Sequence, residues 1–140
     1  MSRSTTSFRL DDELRARLAR QAEAEGISAT ALVERLLLEG LAVAEHPGIV
    51  FKSGQSGRRA ALAGGPDVWE IASALRQTEG SEPARVAALA EEFGIHGRQV
   101  VIALTYAAAH RDEIDRRVRA NDFALADAER VDRERQRLMA

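Results

Sequence analysis

Thr5-Thr6-Ser7-Phe8-Arg9-Leu10-Asp11-Asp12-Glu13-Leu14 decides the fold. Alternation in an extended chain puts Phe8 and Leu10 on one face and Thr5, Ser7 and Arg9 on the other. A lone strand of this length is unstable, because its backbone groups lack partners. Pairing with the same strand of a second subunit solves this. It buries Phe8 and Leu10 over whatever follows, and it leaves Thr5, Ser7 and Arg9 outward as a polar comb. A two-stranded ribbon fits the DNA major groove, where hydroxyls meet several base edges and arginine reads guanine bidentately. The same pattern also fits a strand that only dimerises or caps a sheet.

Two helices follow within residues 11–45. Asp11-Asp12-Glu13 complements a helix dipole at its start. Leu14, Leu18 and Ala22 recur every four residues as an apolar stripe. Gly26 suits a left-handed cap, and Ser28 suits the N-cap of the second helix. Ala29, Leu32, Val33, Leu36, Leu37 and Leu41 then keep helical spacing, until His46-Pro47-Gly48 stops the run.

Ser7 to Leu14, the residues 15–25, and then Gly26-Ile27-Ser28-Ala29-Thr30-Ala31-Leu32-Val33-Glu34-Arg35-Leu36-Leu37 resemble the MetJ/Arc/CopG ribbon-helix-helix family. The resemblance covers about residues 4–45. It implies an intertwined homodimer whose strand residues contact bases, at positions matching Thr5, Ser7 and Arg9. It also implies a phosphate held at the start of the second helix, at Ser28, Ala29 and Thr30, in keeping with anion binding at helix N-termini. The comb departs from many members in having one basic residue.

Residues 46–65 are rich in glycine and hold two β-like runs, Gly48-Ile49-Val50-Phe51 and Arg59-Ala60-Ala61-Leu62. Pro66 to Ile71 predicts a helix with proline in its first turn. Glu82 to Phe93 predicts another, and a last helix runs from about Gly97 to residue 120, with Val100, Leu104, Ala107, Ile114 and Val118 at heptad-like spacing. Val86 to Leu104, with Gly94 at a turn, resembles a helix-turn-helix; trihelical packing away from DNA gives the same pattern. The fold class is therefore mostly α: a ribbon-helix-helix over residues 1–45, then a small β-hairpin and helix-turn-helix-like helices over 46–120, then a polar tail over 121–140.

His46-Pro47-Gly48-Ile49-Val50-Phe51, Gly57-Arg58-Arg59-Ala60, Val68-Trp69-Glu70-Ile71, the helix-turn-helix-like segment and Tyr106 to Ile114, all within residues 46–118, resemble a small antitoxin-like domain often encoded beside PIN-like ribonuclease toxins. The implied function is that of a VapB-like antitoxin: a repressor of its own operon that binds operator DNA in front and a PIN-like toxin behind. A regulator without a toxin, or a pure interaction protein, fits the same residues. A PIN-like nuclease implies an acidic, metal-binding centre, and arginine matches carboxylates bidentately. Arg130, Arg133, Arg135 and Arg137 are the candidates to enter that centre. Phe123 and Leu125 are the candidates to anchor the tail, which reads either as a segment that folds on binding or as a solvated, frayed terminus.

Composition sets further bounds. The net charge of −2 lacks the basic excess common in nucleic-acid binders,, although a dimer concentrates a few arginines on one face. No cysteine is present, which excludes disulfides and thiolate metal sites,. The start of the chain lacks the apolar run of a signal peptide, and no stretch reaches membrane-spanning length; a cytoplasmic location is expected. His46, His96 and His110 show no metal-ligand spacing. Ser53-Gly54-Gln55-Ser56-Gly57 lacks the lysine and hydroxyl residue that end a phosphate loop. No catalytic residue, metal or cofactor is expected.

Overall fold

The structure is a computed structural model that describes residues 2–140. It is mostly helical, with six helices and one two-stranded antiparallel sheet among those residues: α1 Asp12–Glu25, α2 Ala29–Glu45, β1 Ile49–Gly54, β2 Gly57–Leu62, α3 Val68–Leu75, α4 Glu82–Phe93, α5 Gly97–Ala109 and α6 Arg111–Met139. The chain divides into two compact units, one through Ala42 and one over Val43–Ala140. No helix among the described residues is long and apolar enough to cross a membrane.

In the first unit, α1 and α2 are fixed mainly by their caps. The Asp11 carboxylate accepts from the Glu13 and Leu14 amides at 3.0 and 3.3 Å, so Asp11 is the N-cap and not the first helical residue. Gly26 ends α1 at φ +67°, a conformation that a side chain would strain,. The Ser28 hydroxyl accepts from the Ala31 amide at 3.0 Å and opens α2. Arg35 spans the two helices with a bidentate bond to Glu25, at 2.6 and 2.9 Å. That hydrogen bond raises the guanidinium above its ordinary value.

The second unit is built around the hairpin and α3. β1 and β2 pair in register from Ile49 opposite Leu62 to Gly54 opposite Gly57. Ala60, Ala61 and Leu62 are all buried, so β2 does not alternate. Both α3 and α5 pack against this strand, and Asp67 bridges to Ala61 at its free edge. Val68 and Ile71 of α3, Leu89 of α4, and Val100, Ala103 and Tyr106 of α5 complete the core, with Ile114 and Val118 of α6.

Two expectations fail here. Pro66 is not in the first turn of α3: Asp67 is the N-cap, and the Pro66 carbonyl instead accepts from the Leu62 amide at 3.0 Å, closing the loop behind β2. The helix expected from Gly97 to residue 120 is two helices, parted at His110 with φ −124° and ψ 46°. The second of them does not stop near 120 but continues to Met139.

Arg76 ties α3 to α6 by a bidentate bond to Asp122 at 2.8 and 3.0 Å. This hydrogen bond holds the Asp122 carboxyl below its ordinary value. The tie is therefore complete above the usual carboxylate range and is lost as the pH falls through the lowered value.

Candidate nucleic-acid interface

The strand expected at Thr5–Leu10 forms neither helix nor strand in the single chain. Phe8 is 76% exposed and Leu10 is 42% exposed. Leu14, Leu36, Leu37, Leu38 and Leu41 of α1 and α2 are exposed as well, and Ala22, Leu32 and Ala42 are the buried apolar residues of this unit. A unit of about 40 residues rarely buries enough surface to be stable by itself. This one leaves many of its large apolar side chains exposed.

The expected DNA-contacting residues fall into two groups. Thr5, Ala29 and Thr30 border one open groove of about 760 Å³, with Phe8, Leu18, Val33 and Leu37 as its apolar part. Ser7 and Arg9 are exposed and lie outside that groove. Ser28 is the N-cap, so its hydroxyl is engaged. The first amides of α2, at Ala29 and Thr30, have no intrahelical acceptor and carry the positive end of the helix dipole. Arg3 and Arg9 are the only charged residues before Asp11, so the arm ahead of α1 is purely basic. Arg3 approaches Glu34 at 3.6 Å, both of them exposed.

The α4–α5 segment has a different surface. Gly94 makes the turn at φ +63°. His96 caps α5, its Nδ1 accepting from the Arg98 amide at 3.1 Å. The exposed charges are Glu82, Glu91 and Glu92 against Arg98. Arg85 points inward, donating to the Thr78 hydroxyl at 2.9 Å and the Leu75 carbonyl at 3.1 Å.

The residues assigned to a toxin all lie on α6. Phe123 is 76% exposed and Leu125 is exposed too. Two residues apart is about 200° of helical turn, so the two side chains leave opposite faces and do not form one anchor. Val131 and Leu138, both exposed, fall on the face of Phe123 instead,. That stripe becomes legible only once the segment is known to be helical. Arg130 is held by Asp127 at 2.7 Å and Glu134 at 3.0 Å, and Arg135 is paired with Asp132. Arg133 and Arg137, one turn apart, have no ion pair among the described residues.

His46 and His110, far apart in sequence, both meet Tyr106: His110 stacks on it at 4.1 Å and His46 lies edge-on at 5.2 Å. Among the described residues no group of three or more His, Asp or Glu side chains is placed to hold a metal ion. Compared with models of protein families, with curated proteins and with solved structures, the chain matches none of them.

Proposed function

We propose that this protein is a dimeric DNA-binding repressor and the antitoxin of a PIN-like ribonuclease toxin, acting on its own operon in the cytoplasm. The observation that carries the reading is the uncovered apolar surface of the first unit beside a basic, alternating arm. A second copy of the arm would supply the missing strand and cover Phe8, Leu10 and the exposed leucines of α2. Thr5, Ser7 and Arg9 would then form the outward comb, with the amides of Ala29 and Thr30 facing a phosphate. The test is binding of the full chain to its upstream DNA over a range of salt. A repressor of this kind loses affinity steeply as salt rises, whereas a pure interaction protein binds no DNA.

Arg9 is expected to carry base discrimination. A bidentate guanine contact is worth about 1–3 kcal/mol against a wrong base. Arg9→Ala should weaken operator binding and narrow the gap between operator and unrelated DNA. Equal weakening on all sequences would make Arg9 a phosphate contact.

Toxin binding is assigned to α6 beyond Asn121, where Phe123, Val131 and Leu138 give an apolar stripe and Arg133 and Arg137 are open to acidic partners. A chain ended at Asn121 should still bind DNA but lose most of its ability to silence the toxin encoded next to it. Full silencing by that shortened chain would move the surface to residues 46–120. A gene neighbourhood without a toxin would leave the DNA-binding half of the reading standing alone.

A further inference from the structure

A cleft of about 520 Å³ in the second unit lies where the hairpin tip, the start of α3 and the middle of α6 meet, with Arg59, Trp69 and Asn121 on its border. A neighbouring hollow of about 420 Å³ continues it across Ser56 and Arg117 and adds Arg58, Arg116 and Glu113, whose carboxylate accepts from the Tyr106 hydroxyl. Together they are the size of a small-molecule site.

The donors and acceptors of this cleft are unevenly used. Asp67, only 7% exposed, accepts from Arg59 Nε and, at 3.2 Å, from the Trp69 indole N–H. The Glu70 carboxylate accepts from the Asp67 amide at 2.8 Å. Arg117 is bound to the hairpin tip, donating to the Arg58 carbonyl at 2.6 Å and to Ser56 Oγ at 3.3 Å. Each of these carboxylates already serves an internal donor. By contrast, the terminal nitrogens of Arg59, the whole guanidinium of Arg116 and the Asn121 amide have no acceptor among the described residues. A site with donors to spare takes an acceptor-rich anion. The tie to Asp67 fixes the half-buried Trp69 ring, and a fixed indole is a surface on which a planar heterocycle stacks.

We propose that this cleft binds a nucleoside 5′-monophosphate unit, either free or as one residue of a nucleic-acid strand. The phosphate lies beside Ser56, Arg116 and Arg117, and the base lies against Trp69. The inference is independent of the arm and its DNA, because every residue in it belongs to the second unit.

Trp69 is the only tryptophan of the chain and reports the site directly. The full-length protein is titrated with AMP, adenosine, inorganic phosphate and a short oligo-deoxyadenylate, and Trp69 fluorescence is followed. AMP should quench it saturably, with adenosine and inorganic phosphate each at least about tenfold weaker, since each lacks one half of the ligand. The oligonucleotide separates the sources: tighter binding than AMP assigns the site to a strand, and weaker binding to the free nucleotide. Arg116→Ala, at an exposed position, should shift the AMP midpoint at least about fivefold with the melting curve unchanged. Arg9→Ala should leave the titration as it is. The proposal is overturned if AMP gives no saturable change, if adenosine or phosphate equals AMP, or if Arg116→Ala binds AMP like the parent.

Discussion

Phe8→Asp is expected to give a monomer that no longer holds DNA. Phe8 is 76% exposed in the single chain, so the change costs that chain little buried contact. Its main effect falls on the dimer. Burying one phenylalanine side chain contributes about 1.5–3 kcal/mol. Two copies lost from a symmetric interface amount to about 3–6 kcal/mol, or about 10²–10⁴ in the dimerisation constant. Aspartate adds an unpaired charge at the same place, so the loss lies at the upper end. Sedimentation equilibrium reads the monomer, and a DNA titration reads the coupled loss of binding. The thermal melt of the second unit should not move, which separates a broken interface from a broken fold. A Phe8→Asp protein that still dimerises and binds its operator would rule out the paired arm.

Tyr106→Ala is expected to be the most damaging single change in the second unit. Tyr106 is the largest of the fully buried side chains. Its ring stacks on His110, meets His46 edge-on and lies 6.4 Å from the Phe51 ring, while its hydroxyl donates to Glu113 at 3.0 Å. Removing a buried aromatic ring costs about 3–5 kcal/mol. In a unit of this size each kcal/mol lowers the melting temperature by about 4–8 °C, so the fall should exceed about 12 °C. Tyr106→Phe keeps the ring and loses one hydrogen bond, at a cost of about 1 kcal/mol. Calorimetry on the two variants tests packing against hydroxyl. Equal losses would mean that the hydroxyl, not the ring, holds the joint between α5 and α6.

That joint also shows where reading the sequence stops. The caps were legible: Gly26, Ser28 and Gly94 mark helix ends through backbone chemistry local to each residue. The break at His110 was not. Ala107-Ala108-Ala109-His110-Arg111 holds no glycine or proline and reads as continuous helix. The chain departs from it where His110 stacks on Tyr106 and meets His46 edge-on, rings brought together by tertiary structure. Pro66 misled for a related reason, since a proline just ahead of an N-cap looks in sequence like one in the first turn. The tail from Asn121 showed too few apolar residues for periodicity to register, yet ion pairs three and four apart, such as Arg130 with Asp127 and Glu134, support a helix without any apolar face,. For the candidate interface, alternation picks out the arm and its proposed comb, although no strand forms there in the single chain. The proposed cover for Phe8 and Leu10 would come from a second copy, and it is inferred from the apolar surface left uncovered. The cleft around Trp69 left no trace in sequence, because its residues come from three separate elements.

The unbroken run of α6 changes what a partner would meet. From Phe123 to Met139 the helix extends about 25 Å at 1.5 Å per residue,. Starting a helix is the unfavourable step, and growing one from turns already packed is not. Here the packed turns around Ile114 and Val118 act as the nucleus. A tail that coils freely gives up about 1–2 kcal/mol of backbone entropy per residue when a partner orders it. This segment has already given that up on folding, so a docking partner finds a rod whose length and pitch are set in advance. Recognition then depends on whether the grip of the partner matches that pitch, and a mismatched groove is rejected by geometry instead of being accommodated by a pliant chain.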